Sequence, residues 1–304
     1  RKVGLQGQVA VKRAKGGSED DIRGEAAILL LLQGLPGIPR VFEVRITPRQ
    51  SEIHMEYVSH SLFDLLTEEV WMPNNIEIAH VIGQILRTLG GIHGRNVIHG
   101  DLKPSNVLYN PAMGQVLLCD FGFARFRSQR THLPPVQTPL YRAPEVYKYG
   151  KESHGKFDEK IDIWSAGIIM LDIIYRRYLL DEIKSEVKEA QKNGRSLSPS
   201  LEKPLQQKEG HDGEEKQCHG NNGSQEMECK KTESCSQDAQ DDEDIDMVHC
   251  IHLLIERVHQ ERLYIESRVG NHGYDFLVQL LALDPKRRIS AREAQLHAFL
   301  CKPV

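Results

Sequence analysis

Residues 99 to 106 read His99-Gly100-Asp101-Leu102-Lys103-Pro104-Ser105-Asn106, and Asp120-Phe121-Gly122 begins fourteen residues after Asn106. In order, the two strings supply a carboxylate that can act as a base (Asp101), a cation (Lys103) and two oxygen-bearing side chains that can ligate magnesium (Asn106 and Asp120). That set suits phosphoryl transfer, which asks for little covalent help from a protein. The reaction needs in-line positioning, neutralisation of phosphate charge and a group that orients the attacking hydroxyl.

Further strings lie on both sides. Val9-Ala10-Val11-Lys12 comes first, and Glu25 opens an apolar run at Ala26–Leu32. Ala143-Pro144-Glu145, Asp162-Ile163-Trp164-Ser165-Ala166-Gly167 and Asp284-Pro285-Lys286-Arg287-Arg288 follow. Each alone is weak. In this order and at this spacing they resemble the eukaryotic protein kinases, from Val9 to Leu300 apart from one insert.

The resemblance implies an α+β, bilobal protein-kinase fold: a small antiparallel sheet with one helix in an N-terminal lobe, and a larger helical C-terminal lobe. The corresponding boundaries are 1–58 for the N-lobe, 59–190 and 247–304 for the two parts of the C-lobe, and 191–246 for an insert. ATP and Mg2+ are the implied cofactors, and a protein bearing Ser or Thr is the implied substrate. Lys12 is similar to the lysine that holds the α- and β-phosphates, and Glu25 to its helical partner. Ala10 and Leu108 match the two walls of the adenine slot. Met55 matches the residue that limits the back pocket, although a plain core methionine reads the same way. The backbone of Glu56 and Val58 matches the adenine-binding hinge.

Within the catalytic loop, the resemblance gives Asp101 the substrate hydroxyl, Lys103 the transferring γ-phosphoryl, and Asn106 and Asp120 the magnesium. Lys103-Pro104-Ser105, together with Thr138 seven residues before Glu145, matches serine/threonine rather than tyrosine kinases. Glu145 and Arg288 match a structural ion pair, and Asp162 a buried carboxylate that holds the catalytic loop. His99, Phe121, Leu29 and Val41 match the apolar column that links the lobes.

Two features depart from the pattern. No Gly-rich phosphate loop with its hairpin precedes Lys12. Gly4 and Gly7 lie too close to it and read as a turn into the strand. The sequence starts at Arg1, so the expectation is that the first hairpin lies upstream. Second, Gly100 replaces the arginine that in the family receives an activation-segment phosphate. The segment from Asp120 to Glu145 is 26 residues long, Leu133 occupies the usual phosphosite, and Thr131 is the nearest hydroxyl. Activity independent of loop phosphorylation is therefore expected, with Arg125 and Arg127 as the substitute cations should a phosphate be used.

Composition limits the remaining options. At 304 residues with 39% hydrophobic side chains, the chain can build a bilobed domain. No apolar run reaches the roughly 18 residues of a membrane span, and nothing in the sequence points to nucleic acid. Net charge is −4 overall, but residues 191–246 hold 14 acidic and 7 basic residues and no aromatic residue. A segment so poor in apolar surface cannot offset its ordering entropy, so disorder is expected there. Six cysteines form no disulfide framework. Cys218, Cys229 and Cys235 lie near His211 and His219 but without a Cys-x-x-Cys pair, and reduced thiols in the nucleus or cytoplasm are the better reading.

Periodicity places strands at Val9–Lys12, Val41–Arg45 and Ile53–Tyr57, with Cys119 in a further strand. Helices are read at Ala26–Leu32, Ile76–Gly94, Ile161–Leu171, Val248–Val258, Tyr274–Leu283 and Ala291–Phe299. Turn signals stand at Pro36-Gly37 and at 47–50.

Tyr141-Arg142-Ala143-Pro144-Glu145 resembles the CMGC group, in which Arg142 would be linked to a proline-directed choice of substrate. Thr138-Pro139, Leu108-Tyr109-Asn110 and Met55 are closer to the cell-division-cycle-seven kinases, which implies cell-cycle control and an activating protein subunit. The rival class is a pseudokinase that binds partners without catalysis. The full set of chemical residues favours the enzyme, and the missing hairpin favours its rival.

Overall fold

The computed structural model describes residues 8–14, 19–47, 51–68, 71–128, 137–149, 157–193, 195 and 246–301. They belong to two units, 1–183 with 247–304, and 184–246. The expectations for the first hairpin, for Thr131 and Leu133, and for nearly all of 191–246 lie outside the described residues.

Unit 1 begins with a three-stranded antiparallel sheet. Strands β1 (Val9–Arg13), β2 (Val41–Ile46) and β3 (Ser51–Glu56) are ordered β1-β3-β2. The central strand is the most buried, with Ile53 0% and Met55 8% exposed. Helix α1 (Glu19–Leu32) packs on this sheet through Ile22, Ala26, Leu29 and Leu32, which recur at helical spacing. The helix starts six residues before the expected glutamate. Residues 19–21 form its first turn. Glu25 is therefore mid-helix, on the same face as Ile22 and Leu29.

The second lobe opens with β4 (His60–Ser61) and α2 (Leu62–Thr67), where Ser61 and Asp64 form a reciprocal N-terminal cap. Helix α3 (Asn75–Gly94) is capped in the same way by Asn74 and Glu77. It buries Ile78, Val81, Ile82, Ile85, Leu86 and Leu89, each worth about 1.5–3 kcal/mol when fully removed from water. The chain then passes through β5 (Val97–Ile98) into the catalytic loop. It returns by the hairpin of β6 (Val107–Asn110) and β7 (Gln115–Leu118), followed by β8 (Arg125–Phe126) paired to β5.

Helix α4 (Pro144–Tyr149) precedes α5 (Lys160–Tyr175), which is buried on every side from Ile161 to Tyr175. A side chain at Gly167 would begin 2.7 Å from Leu281, so only glycine lets α5 approach this closely. Helix α6 (Leu179–Lys192) starts in unit 1. Unit 1 resumes with α7 (Met247–Gln260), α8 (Arg262–Leu280), α9 (Ala291–Ala294) and α10 (Ala298–Cys301). Among the described residues, no helix is long and apolar enough to cross a membrane.

The α+β arrangement of a small sheet lobe and a helical lobe is present. Besides the start of α1, several elements differ from the sequence reading. Cys119 lies one residue beyond β7 rather than within a strand. The helix read at Tyr274–Leu283 starts twelve residues earlier, and the φ of 72° at Gly270 breaks it internally. The helix read at Ala291–Phe299 is two short helices, separated by a turn after Ala294. Helices α2, α4 and α6 were not anticipated.

Candidate active site

The sheet places Ala10 directly opposite Met55 and Lys12 opposite Ile53. Residues two apart on a strand share a face, so Ala10 and Lys12 point the same way. The Lys12 ammonium sits 2.6 Å from Glu25 Oε2 and 2.8 Å from Asp120 Oδ1. Burial disfavours its charge, but Asp120 and Glu25 outweigh burial and raise its pKa. Glu25, 4% exposed, goes the other way from an ordinary ion pair. Burial raises its pKa more than Lys12 lowers it. For Asp120 burial also acts upward, yet Lys12 and the neighbouring groups prevail and hold it below the usual range. Asp120 has a φ of 60°, a left-handed conformation unfavourable for a side chain other than glycine. Glu25 Oε1 also accepts the Phe121 amide, so α1 is tied to both Lys12 and the Asp120 loop.

The loop of residues 99–106 is fixed from beneath by α5. Asp162, fully buried, accepts the amides of His99 at 2.9 Å and Gly100 at 3.0 Å and pairs with His93 at 2.9 Å. Burial pushes its pKa up, but the His93 hydrogen bond and the charges and amides around it bring it below the ordinary aspartate value. The His99 ring lies 4.9 Å from that of Phe121. Its Nδ1 accepts the Asp101 amide and its Nε2 faces the Cys119 carbonyl. A tautomer with its proton on Nε2 satisfies both contacts.

The Asp101 carboxylate is bonded on both oxygens. Oδ1 accepts the Thr138 amide at 2.9 Å and the Thr138 hydroxyl at 2.8 Å. Oδ2 lies 2.9 Å from Lys103 Nζ and accepts Asn106 Nδ2 at 3.3 Å. Lys103 also donates to Thr138 Oγ1 at 2.9 Å, so lysine, threonine and aspartate form a closed ring of bonds.

Asn106 uses its Nδ2 on the carboxylate and carbonyl of Asp101. Its Oδ1 has no partner among the described residues. Asp120 engages Lys12 and the Gly122 amide through Oδ1 and leaves Oδ2 in the same condition. Two unengaged hard oxygens, one neutral and one anionic, fit magnesium, which takes few protein ligands and completes its shell with phosphate and water. Among the described residues, no cluster of three or more His, Cys, Asp or Glu could bind a metal without such help.

At the end of β3, the Glu56 amide donates to the Arg40 carbonyl at 2.8 Å. Val58 lies just beyond the end of β3. Leu108 belongs to β6, two residues after Asn106, and pairs with Ser61 and Leu117.

The segment entering α4 is held at two points. Arg288 Nη1 and Nη2 meet the Glu145 carboxylate at 2.7 and 2.9 Å, both side chains being buried. Gln137 is the second point, and the sequence reading passed over it. It is 5% exposed, has a φ of 71°, and its side-chain amide is fully bonded. No string marks it, because its role comes from backbone conformation and from contacts to residues far along the chain. Of the two substitute cations, Arg127 is paired with Glu159 at 2.8 Å. Arg125 is 6% exposed and lies 4.3 Å from the Phe157 ring centroid, and its buried Nη2 makes no hydrogen bond among the described residues.

Comparison with known proteins accords with this geometry. A family model described as protein kinase domain matches residues 6–300. Serine/threonine-protein kinase D3 of Mus musculus and of Homo sapiens is 36% identical over 157 residues, which is 50% of this chain and 17% of those proteins. Mitogen-activated protein kinase 1 of Oryza sativa subsp. japonica is 30% identical over 181 residues, 57% of this chain and 44% of that protein. The chain thus matches less than half the length of each of these relatives. The family match runs through both lobes and through every residue of the site, and the chain belongs to the protein kinase family.

Proposed function

We propose that the protein is a serine/threonine kinase that transfers the γ-phosphoryl group of Mg·ATP to a Ser or Thr hydroxyl of a protein. The observation that carries this reading is the closed ring of Asp101, Lys103 and Thr138 beside the unengaged oxygens of Asn106 and Asp120. Mg·ATP, when bound, supplies the phosphoryl group and the charge that neutralises its oxygens. Lys12 binds phosphate oxygen with an ammonium that burial has not deprotonated. Asp101 accepts the entering hydroxyl and fixes its direction, which is where most of the rate advantage of a kinase arises. Lys103 stands on the same carboxylate, placed to meet negative charge on the transferring group.

A finer reading adds a preference for proline after the acceptor residue. Arg142 Nη2 holds the Gln137 carbonyl at 2.9 Å, and the Gln137 amide donates to the Gly100 carbonyl. Both backbone groups of Gln137 are thereby withdrawn from a bound peptide, so a substrate residue without an N–H loses nothing there. This supports the CMGC resemblance, as does the similarity to a mitogen-activated kinase. The similarity to the protein kinase D enzymes does not favour it. A role in cell-cycle control, an activating subunit and a nuclear or cytoplasmic location extend the same proposal and rest on sequence resemblance.

The test is transfer of labelled phosphate from Mg·ATP to a Ser/Thr peptide library. Wild-type protein transfers, with proline enriched after the acceptor. Asp120→Asn abolishes transfer, since a neutral side chain holds magnesium poorly and leaves phosphate charge uncompensated. Wild-type activity in that variant, or nucleotide binding without transfer in the wild type, rules the proposal out, the second outcome in favour of a scaffold.

A further inference from the structure

Gln137 is the residue through which the end of the activation segment is fastened to both the catalytic loop and α5. Its Nε2 lies 2.7 Å from Ser165 Oγ, 3.0 Å from the Ile161 carbonyl and 3.2 Å from the Tyr141 carbonyl. Its Oε1 accepts the Ala143 amide at 3.0 Å. The orientation of the amide is chemically forced. Two carbonyl oxygens require a donor at one end, and a backbone N–H requires an acceptor at the other. Three acceptors converge on two N–H bonds, so no capacity is left unused.

The backbone adds two further bonds. The Gln137 amide donates to the Gly100 carbonyl at 2.9 Å, and its carbonyl accepts Arg142 Nη2. These bonds hold a left-handed φ of 71° in a residue with a side chain, a conformation costing about 1–3 kcal/mol unless the surroundings impose it. The next residue is Thr138, whose amide and hydroxyl both end on Asp101 Oδ1. Gly100, on the other side, is the neighbour of Asp101.

We propose that Gln137 is a positioning residue for phosphoryl transfer. Its side-chain amide locks Thr138 onto Asp101 from within the protein and does the work for which related enzymes use a phosphate clamp. The inference rests on the reading of Asp101 and Thr138 as transfer machinery. Its own content is that one neutral amide, anchored to a buried helix, sets their geometry. A structural role alone would alter stability. A positioning role alters turnover while leaving nucleotide binding as it was.

Two variants and one measurement independent of catalysis test it. Gln137→Gly removes the amide and relieves the left-handed strain. It should remain folded, bind Mg·ADP with unchanged Kd, and lose about tenfold or more in kcat on a peptide. Gln137→Glu keeps the shape but turns a carboxylate toward the Ile161 and Tyr141 carbonyls. Protonation restores one donor, so its kcat relative to wild type should rise as pH is lowered from about 8 to about 6. Arg142, Asp101, Lys103 and, through Tyr141, Asp172 are charged groups bordering this segment. All are common to variant and wild type, so the ratio isolates position 137. Hydrogen exchange at the Thr138 amide should accelerate in both variants at neutral pH. Wild-type kcat in Gln137→Gly, a flat ratio in Gln137→Glu, or unchanged exchange at Thr138 would each overturn the proposal. If the wild type transfers no phosphate while the variants still release the Thr138 amide, the kinase reading fails and the positioning by Gln137 stands.

Discussion

At Gly100 the backbone has a φ of 77°, and a Cβ would meet the Phe123 carbonyl oxygen at 2.7 Å. The position is closed to side chains on two counts, conformation and space. Gly100→Ala should lose about 1 kcal/mol or more of stability, readable as a lower melting temperature. Gly100→Arg should fare no better and should gain no dependence on phosphorylation. Phosphatase treatment of the wild type should likewise leave its rate nearly unchanged. A large loss of rate that maps to Thr131 would show that another cation has taken the role, with Arg125 the first to examine because its buried Nη2 has no hydrogen-bond partner among the described residues. That Lys12 meets Asp120, and that Lys103 and Asn106 meet Asp101, was legible because each residue sits in a string whose spacing the proposed reaction would require. The geometry of Gln137 was not, since nothing in Val136-Gln137-Thr138 announces a left-handed residue or bonds to Ile161 and Ser165.

Helix α5 carries two buried aspartates ten residues apart with opposite titration behaviour. Asp162 is held below its ordinary range despite burial, by His93 and by the loop amides. Asp172 is raised well above it, because burial dominates and the Tyr141 hydroxyl, 2.8 Å away, offsets it only in part. The signs follow from linkage. A lowered pKa gives stability that is complete at neutral pH and is lost as pH falls through the folded value. A raised pKa means that the folded chain keeps a proton the unfolded chain has released, so stability falls as pH rises between the unfolded and folded values. Asp162→Asn should therefore be destabilised most at neutral pH, with the gap narrowing on acidification. Asp172→Asn should gain on the wild type as pH rises from the ordinary aspartate range. Melting temperatures across pH check both, and parallel slopes would contradict the assignment. Element boundaries were read less well than element types. Helix α6 shows Leu179, Leu180, Ile183, Val187 and Ala190 at helical spacing, a signal that its strongly charged remainder obscured. The break at Gly270 depends on a single backbone torsion that periodicity does not report.

Over the whole molecule, the described core of unit 1 is built from residues on both sides of 184–246. A chain in which 196–245 are replaced by a short Gly/Ser linker should therefore melt within a few degrees of the parent and keep its nucleotide affinity. A large fall in melting temperature would show that the acidic stretch contributes packing. The energetic penalty of carrying that stretch is small. Glu145 and Arg288 are 143 positions apart, and loop-closure entropy grows only with the logarithm of length, so the insert adds about 0.4 kcal/mol to bringing them together. Time is a different matter. At about 5–20 residues per second, roughly 7–30 seconds separate the synthesis of Glu145 from that of Arg288. Throughout that interval the nascent chain carries a carboxylate destined for burial with no cation to meet it, and the helical lobe cannot close while the ribosome is still translating the insert.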